Sequence, residues 1–206
     1  MHALIVVAHP DPGSLTHGVA AGIGDGVSQA NPGDTFEIAD LAAEAFDPRF
    51  THADLAAYRK AGPLPADVVA EQARIDRADA LVLVYPVYWW SMPALLKGWI
   101  DRVFANGWAY DETPETGLVK KLHYLKVHLV GVGGADERTY GRHGYFDAMK
   151  TQIDHGIFDF CGAQVVSSRF LLDSQTQNPD AHLKTARAIG CHLFHASSPG
   201  EAAKAA

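Results

Sequence analysis

Three consecutive aromatic residues between two prolines form the stretch of this chain best suited to hold a flat ring. Tyr88, Trp89 and Trp90 lie between Pro86 and Pro93. Their side chains offer large flat apolar surfaces, which are rarely left in a loop unless a ligand or a partner covers them. The backbone N–H and C=O groups of the loop could address the heteroatoms of such a ring. The alternative is a hydrophobic plug or an oligomer contact, and this stretch alone favours neither.

A second candidate for binding follows the first apolar run of the chain. Ser14 is a favourable N-cap for a helix that begins near Leu15. The free N–H groups and the dipole of a helix start favour a phosphate, to which Ser14 and Thr16 could donate hydroxyl hydrogens and His9 a ring N–H. The alternative is that both hydroxyl residues are ordinary caps and that His9 bonds to the backbone. GxGxxG and GxxxxGK[ST] patterns are missing from this turn, so neither a dinucleotide Rossmann site nor a P-loop is predicted.

A third loop combines a glycine pair with two polar side chains. Gly133 and Gly134 permit a close approach of the backbone to a ligand. Tyr140 and His143 follow them and could reach a bound ring; the alternative is a pair of solvent-exposed loop residues. The 11 histidines of the chain are scattered without the paired spacing of metal ligands, so no metal site is predicted.

The elements that must position these loops alternate between apolar runs and helical patterns. Residues 3–8 and 80–84 are short continuous apolar runs, typical of parallel strands buried on both faces. Further strands are predicted at 35–39, 126–132 and 164–172. Helices are predicted from 15 and over 53–58, 66–78, 94–104, 145–160 and 180–196, with loops at 108–121 and 133–144. This alternation predicts an α/β fold, a five-stranded parallel sheet with helices on both faces, in the doubly wound flavodoxin-like order 2-1-3-4-5.

The predicted sheet brings the three loops together. The carboxyl ends of parallel strands share one edge, so the loops after the first, third and fourth strands meet there. The winding reverses between the first and third strands, and a crevice should open between their loops.

The composition is typical of a globular domain with an acidic balance. The 206 residues carry a formal net charge of −7 and no basic stripe, so neither a nucleic-acid partner nor membrane insertion is predicted. No apolar stretch approaches the roughly 18 residues of a membrane span, and the amino terminus has no signal-peptide pattern. We therefore expect a cytoplasmic protein. Residues 1–196 are predicted to form a single domain, and the small polar tail 197–206 is predicted to be flexible.

Several of these motifs together resemble one known family. The most specific is Pro-x-x-Trp-x-x-x-Pro-x-x-Leu-Lys-Gly-Trp, which runs from Pro86 to Trp99. Matching segments at 8–14, 67–72, 133–134 and 160–162 extend the resemblance over most of the chain in order. On these residues the sequence resembles the NAD(P)H dehydrogenase (quinone) family of flavodoxin-like flavoproteins, the quinone reductases.

The resemblance implies a homodimer with FAD, or alternatively FMN, and a site at the subunit interface. Residues that would bind the phosphate end of the flavin are His9, Ser14, Leu15 and Thr16. Residues that would contact its isoalloxazine ring are Pro86, Val87, Tyr88, Trp89, Gly133 and Gly134. Tyr140 and His143 match a catalytic pair near the flavin carbonyl. The acceptor pocket would consist of Trp89, Trp90 and Tyr110, the last from the partner subunit.

The implied activity is a ping-pong hydride transfer from NAD(P)H through flavin N5 to a quinone or another aromatic acceptor. An imidazolium at His143, with Tyr140, would stabilise negative charge on the reduced ring. One alternative is a binding role, in which a flavoprotein of this family serves as the regulatory subunit of a membrane transporter. A flavodoxin-type electron carrier is a weaker alternative, because such carriers are strongly acidic and need no nicotinamide pocket.

Overall fold

A computed structural model describes residues 1–175 and 178–194 of the chain. The strands are β1 (His2–Val7), β2 (Thr35–Asp40), β3 (Ala80–Pro86), β4 (Tyr110–Thr113), β5 (Gly117–Lys120), β6 (Lys126–Val132) and β7 (Gln164–Leu171). The helices are α1 (Leu15–Ala30), α2 (His52–Tyr58), α3 (Ala66–Asp76), α4 (Ala94–Val103), α5 (Glu137–His143), α6 (Tyr145–Met149), a π-helix (Lys150–Asp159) and α7 (Pro179–Cys191). The predicted tail 197–206 lies outside the described residues.

Five parallel strands form the central sheet in the order β2-β1-β3-β6-β7. This is the predicted order 2-1-3-4-5, and the flavodoxin-like fold is confirmed. In the centre of the sheet Val7 pairs with Val84, and Val84 pairs with Val130. Every residue of β3 is buried, as its continuous apolar run predicts.

Alternate residues of the strands enter two separate cores, one on each face of the sheet. One core joins strand residues such as Ile5 and Val82 to Ile23 of α1 and Ala186 of α7. The other joins the intervening strand residues to α3 and α4, where Trp99 is fully buried. Helices therefore cover both faces of the sheet, and the carboxyl ends of its strands remain open for ligands.

The predicted start of α1 is confirmed. Ser14 is the N-cap, in an extended conformation with φ −69° and ψ 156°, and its side chain accepts a hydrogen bond from the His17 N–H. This cap fixes the direction in which the first loop enters the helix.

Two segments predicted as loops contain regular structure. Residues 108–121 include the antiparallel hairpin of β4 and β5. Both strands lie at the surface and are at least partly exposed throughout, so they lack the alternation of apolar residues that marks a half-buried strand. Residues 133–144 include α5, which begins after the N-cap Asp136 and ends at Gly144 with φ +70°.

The last two predicted helices differ in detail. The segment predicted as a helix at 145–160 is α6 followed by the π-helix. The closing helix ends at Cys191 instead of residue 196, and residues 195–196 lie outside the described part. Among the helices that the structure describes, none is long and apolar enough to cross a membrane.

Candidate functional site

The aromatic loop after β3 is a tight turn with an unusual backbone. Tyr88 and Ser91 exchange two backbone hydrogen bonds, with N···O distances of 3.1 and 3.0 Å. Between them, Trp89 and Trp90 both have positive φ, at 49° and 59°. Bulky residues seldom adopt this conformation, and the cost is about 1–3 kcal/mol for each, so the surrounding structure must impose it. Strain of this kind is common in ligand-binding loops.

The two tryptophans of this turn have different surroundings. The Trp89 side chain is 94% exposed. In contrast, the Trp90 indole stacks on the Tyr145 ring, with 3.7 Å between centroids, and meets the Tyr140 ring edge-on at 5.2 Å. Trp90 therefore anchors the turn to α5 and α6, while Trp89 is free to cover a ligand.

A pocket of about 130 Å³ lies between the aromatic loop and the end of β6. Its walls are Val87, Trp89, Trp90, Gly134, Ala135 and Tyr140. The structure thus brings the aromatic loop and the loop that contains Gly133 and Gly134 together. The backbone N–H groups of Trp89, Trp90 and Gly134 make no hydrogen bond within residues 1–175 and 178–194. Apolar walls with a few uncommitted donors suit a flat heteroaromatic ring.

The predicted pair Tyr140 and His143 lies on α5, one residue buried and the other exposed. Tyr140 is only 1% exposed, and its ring packs against Trp90 and Phe146. A Cβ atom on Gly133 would lie 2.7 Å from the Tyr140 hydroxyl, so this close approach requires glycine. Burial raises the pKa of Tyr140, which keeps its hydroxyl a hydrogen donor. The exposed His143 ring stacks on Tyr145 at 5.4 Å.

The first loop presents uncommitted donors at the start of α1. The N–H groups of Leu15 and Thr16 have no hydrogen-bond partner in the part of the chain that the structure describes. Nδ1 of His9 lies 3.0 Å from the Asp11 nitrogen and 3.2 Å from the Asp11 carbonyl oxygen, so the ring is bonded to the backbone. In the tautomer in which Nδ1 accepts from the Asp11 N–H, Nε2 carries the hydrogen and can donate it to a ligand. Thr16 is 2% exposed, and its side chain therefore belongs to the interior. The helix start offers backbone donors to an anion.

Sequence reasoning missed a histidine and an aspartate beside this helix start. The His17 ring lies between Ser14 Oγ, 3.0 Å from Nδ1, and the Asp40 carboxylate, 2.9 Å from Nε2. Burial disfavours the charged form of Asp40, but hydrogen bonds from the Ala43 N–H and from His17 prevail and lower the pKa of this carboxyl. The predicted strand order places the end of β2 beside the first loop and could have indicated Asp40.

Tyr110 does not lie beside Trp89 and Trp90 within one chain. It lines a separate groove of about 470 Å³ near the β4–β5 hairpin. The aromatic neighbours in this groove are Phe50, Tyr58, Phe104 and Phe160. Burial raises the pKa of Tyr110, with a smaller contribution from Tyr58. A single subunit therefore does not assemble the predicted acceptor pocket.

No group of three or more histidine, cysteine, aspartate or glutamate side chains in the described ranges is arranged to hold a metal ion. The donors at the open edge of the sheet are backbone amides, ring nitrogens and hydroxyls, which suit an anionic or heteroaromatic ligand.

A doubly wound parallel sheet whose loops form a cleft at the reversal of winding defines a flavodoxin-like protein. A family model described as a flavodoxin-like fold matches residues 1–190, and the chain belongs to that family. The resemblance to the NAD(P)H dehydrogenase (quinone) family is confirmed.

Relatives named as quinone dehydrogenases support the same placement. The ribosyldihydronicotinamide dehydrogenase (quinone) of Pongo abelii is 33% identical over an alignment of 184 residues, and the alignment covers 80% of this chain and 78% of the relative. The NAD(P)H dehydrogenase (quinone) 1 of Rattus norvegicus is 29% identical over an alignment of 203 residues, and the alignment covers 88% of this chain and 72% of the relative. The structure of an NAD(P)H:quinone oxidoreductase from Methanothermobacter marburgensis superimposes with a TM-score of 0.86 at 29% identity, covering 96% of this chain and 99% of that one.

Proposed function

We propose that this protein is a flavin-dependent NAD(P)H:quinone oxidoreductase that acts in the cytoplasm. The observation that carries the proposal is the pocket between the aromatic loop and Gly134, with its uncommitted N–H groups on Trp89, Trp90 and Gly134. A site of this kind can bind a flat conjugated ring through its edge and leave one face open to a second aromatic molecule.

The residues of the two other loops fit the remainder of a flavin. The uncommitted N–H groups of Leu15 and Thr16, with the Ser14 hydroxyl and His9 Nε2, would hold its phosphate end. Pro86, Val87, Tyr88, Trp89, Gly133 and Gly134 would contact the ring. We propose FAD as the cofactor, with FMN as the alternative. A bound flavin would supply the chemistry, a ping-pong transfer of hydride from NAD(P)H to a quinone.

Tyr140 and His143 are proposed as the catalytic pair. The Tyr140 hydroxyl lies beside Gly133 at the wall of the pocket, and its raised pKa keeps the proton on oxygen. His143 is exposed and can exchange protons with solvent. Donors in these positions would stabilise negative charge on the reduced ring.

A second copy of the chain would complete the acceptor pocket. Tyr110 lies in a different groove from Trp89 and Trp90, so it can reach the acceptor only from a partner subunit. Large apolar side chains are exposed around that groove, including Phe50 at 51% and Tyr58 at 51%. Burial of such a patch stabilises a dimer. A pocket with walls of Trp89, Trp90 and Tyr110 favours flat aromatic acceptors, and we propose quinones as the preferred ones.

The proposal is tested with the purified protein after reconstitution with FAD or FMN. A visible flavin spectrum and oxidation of NADH or NADPH in the presence of menadione are expected, with parallel double-reciprocal lines. Release by denaturation of the flavin that the protein carries on purification, before any reconstitution, followed by mass spectrometry, identifies the cofactor. A colourless protein that takes up neither flavin would overturn the proposal. A yellow protein that is not reduced by NAD(P)H would favour the transporter-subunit role.

A Tyr110→Ala variant tests the shared site. Sedimentation should show a dimer for the natural protein. We expect Tyr110→Ala to raise KM for menadione while flavin binding is unchanged. A monomer with full quinone turnover would contradict the shared pocket.

A further inference from the structure

We infer that His17, held by Asp40, controls the hydrogen of the Ser14 hydroxyl and thereby couples phosphate binding at the start of α1 to the uptake of a proton. The inference rests on the proposed function, because the phosphate is that of the proposed flavin. His17 would be a positioning residue, since it acts through Ser14.

The direction of each hydrogen bond follows from the chemistry of the partners. The ionised Asp40 carboxylate can only accept, so the His17 Nε2 at 2.9 Å must carry a hydrogen. In the neutral ring Nδ1 is then an acceptor. The Ser14 hydroxyl, 3.0 Å away, must donate its only hydrogen to this nitrogen.

Ser14 is therefore poorly prepared for an anion while His17 is neutral. Its oxygen accepts the His17 N–H at 3.3 Å, and its hydrogen is engaged by the ring. An incoming phosphate would meet the lone pairs of the hydroxyl oxygen. The remaining donors would be the backbone N–H groups of Leu15 and Thr16 and the proposed His9 Nε2.

Protonation of His17 reverses this arrangement. Nδ1–H then donates to Ser14 Oγ, and the hydroxyl hydrogen is released for a phosphate oxygen. The imidazolium adds a positive charge beside a helix start that already favours anions. Asp40 is fixed on its other side by the N–H groups of Ala42 and Ala43, both at 3.1 Å, so it can hold the ring in either state.

Within residues 1–175 and 178–194, the elements packed near His17 carry the following charged and titratable groups. Apart from Asp40, the His9 ring at the end of β1 lies edge-on to it at 6.2 Å, and Asp11 is bonded to His9. Helix α7 packs along α1, where Leu183 contacts Gly18. The titratable residues in the first turns of α7 are Asp180, His182 and Lys184. Tyr85 of β3 lies in the core on the other face of the sheet, where Glu37 of β2 is paired with Arg74 of α3.

This series of hydrogen bonds contains the residue types of a hydrolase triad, but its geometry differs. Ser14 Oγ is a helix cap that accepts a backbone N–H, and it meets the ring at Nδ1 instead of Nε2. The arrangement therefore suits control of a donor better than activation of a nucleophile.

The test compares flavins with and without a phosphate group. Dissociation constants of FAD and riboflavin are measured by flavin fluorescence on the full chain freed of cofactor, between about pH 6 and about pH 8.5. We expect FAD to bind more tightly as the pH falls, by at most about tenfold per pH unit for one coupled proton. Riboflavin, which lacks the phosphate, should show no such dependence. Calorimetry in buffers of different ionisation enthalpy should show proton uptake with FAD.

Three variants assign the effect to the pair. His17→Asn should remove both the pH dependence and the proton uptake for FAD. Asp40→Asn keeps an acceptor for the Ala42 and Ala43 N–H groups and turns its amide NH2 toward His17 Nε2. The neutral ring then carries its hydrogen on Nδ1 and leaves the Ser14 hydroxyl hydrogen free, so FAD binding should lose most of its pH dependence. Should His17→Asn fail to fold, the Asp40→Asn profile decides. His52→Asn, at an exposed histidine on α2, is the matched control and should behave like the natural protein.

The outcomes separate this inference from the proposed function. Natural protein that binds FAD with the same affinity at all pH values overturns the coupling and leaves the proposed function intact. His17→Asn with an unchanged FAD profile also overturns it, as does an equal pH dependence for riboflavin. Failure of the natural protein to bind any flavin overturns the proposed function and the coupling together.

Discussion

The indole of Trp90 lies face to face on the ring of Tyr145, with 3.7 Å between centroids and 12° between planes. This contact links the turn after β3 to the start of α6. Because Tyr140 meets the same indole edge-on, the turn and the α5–α6 corner form one aromatic unit. The strained backbone at Trp89 and Trp90 is held by this unit, and one wall of the pocket depends on it.

Truncation of Trp90 should therefore destabilise the protein, whereas truncation of Trp89 should not. Two aromatic contacts at about 0.5–1.5 kcal/mol each predict that Trp90→Ala lowers the free energy of unfolding by about 1–3 kcal/mol. Trp89 is 94% exposed, so Trp89→Ala should change stability by less than about 0.5 kcal/mol. Urea unfolding of both variants measures the difference. Equal effects would show that the stacking does not hold the turn.

This contact shows which part of the site could be predicted from sequence. The strand, the two prolines and the N-cap Ser14 are local signals, and the structure bears them out. The partner of Trp90 is far along the chain, and no local pattern identifies it. The same is true of Asp40, which reaches His17 only because β2 pairs with β1.

Because α1 packs closely on α7, a single added methyl group between them should strongly destabilise the protein. A Cβ on Gly26 would lie 2.2 Å from the Arg187 carbonyl oxygen, and a Cβ on Gly190 would lie 2.0 Å from that of Ile23. Backbone atoms cannot move aside as a flexible side chain can. Gly26→Ala should therefore lower the free energy of unfolding by about 3 kcal/mol or more. The matched control is Gly141→Ala in α5, where nothing lies within 4 Å; it should stabilise by about 0.5–1 kcal/mol. Thermal or urea unfolding distinguishes the two, and a neutral Gly26→Ala would refute the close packing.

Acid should weaken the junction of α3 and α4 through Asp67. The guanidinium of Arg102 donates two hydrogen bonds to Asp67, at 2.6 and 3.1 Å, and lowers the pKa of this carboxyl. A lowered folded-state pKa contributes stability above the unfolded pKa of about 3.9, and that contribution is lost as the pH falls further. Between about pH 5 and about pH 3, the free energy of unfolding should therefore fall less in Asp67→Asn than in the natural protein. Urea midpoints across this range test it, with Asp25→Asn as a control on an exposed, weakly paired carboxyl. Parallel pH profiles for natural protein and Asp67→Asn would contradict the prediction.

The segment between β6 and the π-helix shows a second limit of sequence reasoning. Asp136 and Gly144 are ordinary helix start and stop signals, but the sequence pattern predicts a loop there. A helix of only two turns shows too little periodicity to be recognised. The presence of a helix here determines the surroundings of two predicted site residues. Tyr140 and His143 occupy one short helix, which buries the first and exposes the second.

Replacement of His143 separates a chemical role from a structural one. His143→Gln keeps a polar side chain over Tyr145 but cannot carry a positive charge. Because His143 is exposed, stability should change by less than about 0.5 kcal/mol. If its imidazolium stabilises the reduced ring, anaerobic stopped-flow reduction by NAD(P)H should slow by about 100-fold, the lower end of what one preorganised donor contributes. His52→Gln, on the exposed start of α2, should reduce at the natural rate. An unchanged rate in His143→Gln would remove His143 from the catalytic pair and leave Tyr140 as the only side-chain donor proposed there.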